Sequence, residues 1–379
     1  MSWWPVPART PIGIELDGGF IRAAQLVRNN DRLALDAAVT IRRRGSEGEL
    51  QDADVRRLAE VLDRQGFFGT VITLALPARY QLMSVLELPP ANSGAPLEQL
   101  ARGELARMHR CEPQALEMAC WNLPARRRGG EGADVMAAAC RCEDADRLLD
   151  VFTAAQFQVQ ALDVMAWSMF RAHQPLLQSQ GVAVLLNIAW DCSTIVLLHR
   201  GTAVYERTLA EAGLAPLHTR LSQELGMSGE QIEGLWQELA AATGVPNPGA
   251  PGLGTLALEQ PPEPKSPNSS APELVTPQSA ASRQARAIIE AHFEAMLSEV
   301  MLSCSYVSQR YESVTFEQIM LSGLGANAPG LHHQIERLLE KAPQVTRPSD
   351  IAECPARLGP QADDPALMLA IGMALHAED

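Results

Sequence analysis

The residues best suited to chemistry in this sequence lie in three short turns. Asp17-Gly18-Gly19 follows the apolar strand Ile12-Gly13-Ile14-Glu15-Leu16, Ala189 to Ser193 follows Val184-Leu185-Leu186-Asn187-Ile188, and Gly323-Leu324-Gly325 stands far downstream. Turns of this kind present successive backbone N–H groups, which lets a chain hold an anion without a charged side chain. Two of them facing each other would grip phosphates from opposite sides, and a third rich in glycine would let backbone approach an adenosine. Glycine turns are common in hairpins, so the order and spacing of all three carry this reading. The candidate nucleotide-binding residues are therefore Glu15, Asp17, Gly18, Gly19, Asn187, Asp191, Ser193, Gly323 and Gly325. Glu15 is the candidate metal ligand, because a carboxylate beside phosphates suits hydrated Mg2+.

The first two turns belong to a repeat. Sliding Glu15 onto Asn187 superposes the two strands and runs without a gap through Gln25-Leu26 over Leu197-Leu198, bringing Asn29 opposite Gly201. Two copies of one strand meander predict a two-lobed molecule with a cleft between the lobes.

The remaining elements follow from periodicity. A helix carries Val55, Leu58 and Leu62, and buried-type strands run over Val71 to Leu76 and Leu82 to Leu88, closed by Pro89-Pro90. Residues 91–160 have their own rhythm of helix, two strands, helix and strand, which predicts an inserted subdomain. A crossing helix begins near Asp163, and Ser228-Gly229-Glu230-Gln231 has the form of a capping box. Pro, Gly, Ser and Ala dominate residues 244–281, which predicts a disordered loop. A long amphipathic helix then runs from Ser282 to Tyr311, and Asp364-Pro365 opens a last one. The expected division is an arm at 1–11, lobe one at 12–90, the insert at 91–160, and lobe two at 161–379.

Composition narrows the function. A formal net charge of −14 speaks against binding nucleic acid or an anionic membrane surface. The runs Arg42-Arg43-Arg44 and Arg126-Arg127-Arg128 read as solvated loop charge. Neither a secretory signal nor a bilayer-spanning apolar run is seen, so a cytoplasmic location without direct membrane insertion is expected. The seven cysteines suit a reducing compartment, and Cys140-Arg141-Cys142 lacks the partners of a metal site. His332-His333, consecutive on a helix, point too far apart to share a metal. No Walker-type lysine loop, zincin pair or nucleophile elbow occurs.

In sum the pattern resembles the actin-like ATPase superfamily, an α/β, ribonuclease H-like duplicated fold, and within it the PilM family of type IV pilus assembly. The resemblance rests on Ile12 to Leu16, Ala75-Leu76-Pro77, Leu86-Glu87-Leu88-Pro89, Leu162-Asp163-Val164, Leu185 to Gly201, Leu321 to Leu331, and Ala370 to Leu375. It implies a scaffold at the inner-membrane platform, peripheral to the membrane through a PilN-like single-pass protein whose cytoplasmic tail docks on lobe one. Other platform components are further implied partners, and ATP with Mg2+ the implied cofactors.

Departures from the family pattern point toward weak or lost ATP binding. Asp17 puts negative charge where a phosphate sits, Asn187 replaces a metal-holding carboxylate, and Ala189-Trp190 adds side chains where backbone must come close. Efficient hydrolysis is therefore not expected. Alternatives are an active ATPase like the division protein FtsA, a sugar-kinase-like enzyme, and the cytoplasmic part of a type II secretion component. FtsA adds an amphipathic membrane helix, whereas His376-Ala377-Glu378-Asp379 follows a core-type helix here.

Overall fold

The computed structural model describes residues 8–29, 32–43, 49–126, 132–178, 181–243, 280–312 and 314–376. Strands β1 (Ala8–Arg9), β2 (Ile12–Leu16), β3 (Phe20–Asn29) and β4 (Arg32–Arg42) come first. Helix α1 (Asp52–Arg64) turns Val55, Leu58 and Leu62 onto Ile12, Ile14, Ile72 and Leu74, and β5 (Val71–Ala75) lies parallel to β2. Strand β1 pairs with β3, so the expected arm already contributes to the sheet at Ala8.

Strand β6 (Leu82–Leu88), helix α2 (Leu97–His109), β7 (Leu116–Asn122) and β8 (Ala133–Arg141) build a separate three-stranded sheet ordered β6-β8-β7. Helix α3 (Cys142–Ala154) and strand β9 (Gln158–Asp163) return to lobe one. There β9 pairs with β5, and Leu148 and Phe152 of α3 join the core under β2. The expected insert limits of 91 and 160 therefore shift. Strand β6 belongs to the insert, while α3 and β9 do not.

After α4 (Met165–His173) the meander repeats as β10 (Val182–Ile188), β11 (Ser193–His199) and β12 (Thr202–Leu209). Then come α5 (Leu214–Leu225), α6 (Gly229–Thr243), α7 (Ala280–Arg310), β13 (Phe316–Ser322), α8 (Leu331–Leu339), β14 (Gln344–Val345) and α9 (Met368–Ala374). Helix α6 has the expected capping box: Ser228 N–H donates to Gln231 Oε1 at 2.8 Å, and Gln231 N–H to Ser228 Oγ at 3.3 Å. The proline-rich stretch up to residue 279 and the Trp3-Trp4 pair lie outside the described residues.

The two main sheets have the same strand order, β4-β3-β2-β5-β9 and β12-β11-β10-β13-β14. Their hairpins also share a register. Gly13 pairs with Ala24 and Glu15 with Arg22 in lobe one, and Leu185 pairs with Val196 and Asn187 with Thr194 in lobe two. The gapless repeat in the sequence is thus a repeat in hydrogen bonding.

Helices α4 and α9 pack between the sheets. Helix α9 is buried on every side and lies on Ala24, Leu26 and Leu35 of lobe one, while α4 with Leu369 and Met373 covers Leu185 and Val196 of lobe two. The expected assignment of 161–379 to lobe two is corrected accordingly: α9 completes lobe one. One arginine of each run departs from expectation. The Arg43 side chain is 5% exposed, pairs with Asp54 at 3.2 Å and donates to Gly18 O at 3.1 Å, and Arg126 pairs with Asp134 and Glu87.

Candidate functional site

The hairpin turns of the two lobes meet. Asp17 leaves the end of β2 and its carboxylate reaches into lobe two, where Oδ2 accepts the Trp190 N–H at 2.8 Å and Oδ1 the Asp191 N–H at 3.1 Å. The Asp191 carboxylate lies against the first turn in return, close enough to Gly18 that a Cβ there would come within 2.1 Å of its oxygens.

Trp190 closes the space beside the turns. Its ring meets Phe20 edge-on at 5.7 Å and His218 at 5.0 Å, and it backs onto Gly19, where a Cβ would come within 2.7 Å of the indole. Burial pushes His218 down to about 4, so it is neutral against the indole at physiological pH.

Behind Asp17 lies a charged group that sequence reasoning missed. Arg22, opposite Glu15 on β3, is 1% exposed, with Nη1 at 3.2 Å from Glu15 Oε1 and 3.4 Å from Asp17 Oδ2. Its guanidinium also lies over the Phe20 ring at 5.1 Å. Burial would lower the Arg22 pKa, but Glu15, Asp17 and Asp364 together hold it above the ordinary value. The signal was available: an arginine among the apolar residues at the start of β3, placed by the hairpin register across from the candidate metal ligand.

Three acids around one guanidinium leave negative charge in excess. Burial is the largest effect on Glu15 and pushes it up to about 7 against the pull of Arg22, with Asp17 adding to the rise. Burial likewise raises Asp364, which caps the approach to α9 by accepting the Ala366 N–H. Asp191 is raised by burial and by the nearby Asp17 charge.

The remaining candidates are engaged inside the protein. Asn187 Oδ1 accepts from Ser322 Oγ at 3.2 Å, and Ser193 Oγ donates to Ala212 O at 2.7 Å. Gly323 has φ +86° and donates its N–H to Pro365 O, while Gly325 donates to Ile188 O. A Cβ on Gly323 would lie 2.5 Å from Ile188 O, so this turn packs on the end of β10. The structure thus gathers Glu15, Asp17, Gly18, Gly19 and Asp191 at one point, with Asn187, Gly323 and Gly325 at the neighbouring strand end and Ser193 turned toward Ala212.

This arrangement does not fit a magnesium triphosphate. The Trp190 and Asp191 amides already donate to the Asp17 carboxylate, the Asp191 carboxylate lies against Gly18, the indole lies beside Gly19, and Glu15 is committed to Arg22. Among the described residues no cluster of three or more His, Cys, Asp or Glu is placed to hold a metal. An open cleft of about 1270 Å3 remains outside the turns, between Gly18, Arg79 and Tyr80 of lobe one and Arg207, His292 and Met296 of lobe two.

No family model matches the sequence, and no curated protein does. Solved structures do. A chain of the PilM-PilN type IV pilus biogenesis complex superposes with a TM-score of 0.68 at 16% identity, covering 97% of this chain and 98% of that one. The ethanolamine utilization protein EutJ from Carboxydothermus hydrogenoformans superposes with a TM-score of 0.52 at 12% identity, covering 98% and 91%. The fold is actin-like. The duplicated sheets are the two actin-like lobes, and α4 is the crossing helix expected near Asp163, with α9 packed beside it between the sheets. Identity this low carries the fold and leaves activity to the site.

The insert joins the actin-like lobes a second time. Trp121 Nε1 donates to Ala203 O of β12 at 2.9 Å and its ring meets Trp167 of α4 at 5.4 Å. Gln81 hydrogen-bonds Glu206 of β12, and Arg310 of α7 pairs with the buried Asp134 of β8.

Proposed function

We propose that this chain is an actin-like scaffold of type IV pilus assembly that binds the cytoplasmic tail of a PilN-like single-pass inner-membrane protein, and that it works without turning over ATP. The observation that carries the reading is the superposition on a chain of the PilM-PilN complex, which extends over nearly the whole of both chains and so includes the insert. Charge is consistent with it, since a net charge of −14 attracts the basic residues that flank the cytoplasmic side of a membrane span. No helix among the described residues is long and apolar enough to cross a membrane.

The insert offers a surface for such a tail. A groove of about 420 Å3 runs beside the edge strand β7, with Leu97 and Ala101 of α2 on one wall and Met118, Cys120 and Val135 of the sheet along its floor. An extended segment laid there gains backbone hydrogen bonds from a strand edge and apolar pockets for alternate side chains.

The test is fluorescence anisotropy with a labelled peptide carrying the cytoplasmic tail of a PilN-like single-pass protein. Micromolar binding that is abolished by Cys120→Arg, at an exposed position of the groove, and unaffected by magnesium-ATP is the expected result. No binding by a correctly folded protein, or nucleotide-dependent binding, overturns the reading.

A further inference from the structure

We propose that the turn between β10 and β11 is an anion site which the chain fills with its own Asp17 carboxylate, so that the lobes are held closed without a nucleotide. This goes beyond the partner reading and does not depend on it. The geometry is that of a two-point anion grip: adjacent amides of one lobe, Trp190 and Asp191, converge on the two oxygens of a single carboxylate from the other lobe at 2.8 and 3.1 Å. Charge-assisted bonds of this type are stronger than those between neutral groups.

The supporting residues fit the same purpose. The Asp17 side chain is 3% exposed, and Arg22 behind it supplies countercharge inside lobe one, so the carboxylate faces lobe two with only the amides left to satisfy. The Asp191 carboxylate packs back against Gly18, while Arg43 donates to the Gly18 carbonyl and fixes the first turn from behind. Trp190 packs on Phe20 across the lobes beside this contact.

An anion attached to the chain reaches its site at an effective concentration that a free ligand cannot match while the lobes remain together. The ligand class of the vacated site follows from its donors: two backbone amides with no cationic side chain of their own bind a phosphate-type oxyanion. Closure, which a bilobed nucleotide clamp obtains by binding a polyphosphate, is then a permanent property of this chain.

The experiment follows amide hydrogen exchange at Trp190 and Asp191 in the full chain, with and without millimolar inorganic phosphate or ATP, for the wild type, Asp17→Asn and Asp17→Ala. In the wild type both amides are expected to be protected, and to the same degree whether or not an anion is added. In Asp17→Ala exchange is expected to accelerate by about tenfold or more, and inorganic phosphate to restore protection. Asp17→Asn, which keeps one acceptor oxygen, falls between.

Wild-type amides that gain protection on addition of phosphate or ATP overturn the proposal, since the site would then be open to free anions. Variant amides as protected as those of the wild type overturn it equally. Because the wild-type arm alone can refute it, a folding defect in a variant does not shelter the idea.

Discussion

Arg22→Met tests the charge arrangement most directly. The substitution keeps length and removes the cation that lies 3.2 Å from Glu15 and 3.4 Å from Asp17, leaving these two and Asp364 as buried acids without a counterion. Breaking a buried pair by deleting one partner costs about 3–5 kcal/mol. The loss has a definite pH dependence. In the wild type Glu15 is pushed up to about 7 by burial, and its Oε2 has no hydrogen-bond partner, so the folded protein holds this proton more tightly than the unfolded chain, where the group titrates near 4.5. A carboxyl raised in this way costs nothing below its unfolded value; the cost grows between about 4.5 and 7 and is complete above that, at about 3 kcal/mol. Without Arg22 the pull toward ionisation disappears, so the cost begins in the same window and continues to higher pH. Urea unfolding followed by tryptophan fluorescence should therefore show a deficit of about 3–5 kcal/mol for Arg22→Met, larger near pH 8 than near pH 5 by up to about 1.4 kcal/mol, because only above about 7 does the cost at wild-type Glu15 level off while that in the variant still grows. A deficit equal at the two pH values, or below about 1 kcal/mol at the higher one, refutes the argument.

Three further outcomes are expected. Trp190→Ala removes the ring between Phe20 and His218 and should cost about 2–3 kcal/mol of stability by urea unfolding, with loss of near-ultraviolet circular dichroism from the packed indole. Arg310→Ala should cost about 1–2 kcal/mol and speed hydrogen exchange in β7 and β8, because the buried Asp134 retains Arg126 but loses its tie to lobe two. His173 is 1% exposed between Met169 O and Thr346 Oγ1 and is pushed down to about 4 by burial, so its stabilising effect is complete above about 6.5 and lost as pH falls toward 4. Its imidazole NMR shifts should stay those of the neutral ring at pH 5, and protonation there would contradict the burial seen.

Much of the architecture was legible because it is written locally. The two hairpins show as apolar strands broken by glycine and acidic turns, and the match of Glu15 to Asn187 carried their shared register, realised as Glu15 opposite Arg22 and Asn187 opposite Thr194. The Ser228 capping box was equally local. What escaped depends on contacts distant in sequence. Strand β6 reads as a buried strand wherever it pairs, and only its partner β8 assigns it to the insert. Helix α9 is apolar on all sides, so periodicity gives it no preferred lobe. Asp17 was legible as a charge hostile to phosphate, yet its meaning lay in two amides of the other lobe, far along the chain. Arg43 looked solvated because its run is flanked by polar residues, while its partners Asp54 and Gly18 come from separate elements.

The position of α9 has a consequence for biosynthesis. Strands β2 and β3 are translated well before the helix that covers them, which comes after every other described element. During elongation the nascent first lobe must wait with Ala24, Leu26 and Leu35 uncovered, an apolar surface of the kind that makes partly folded chains prone to aggregate until α9 docks.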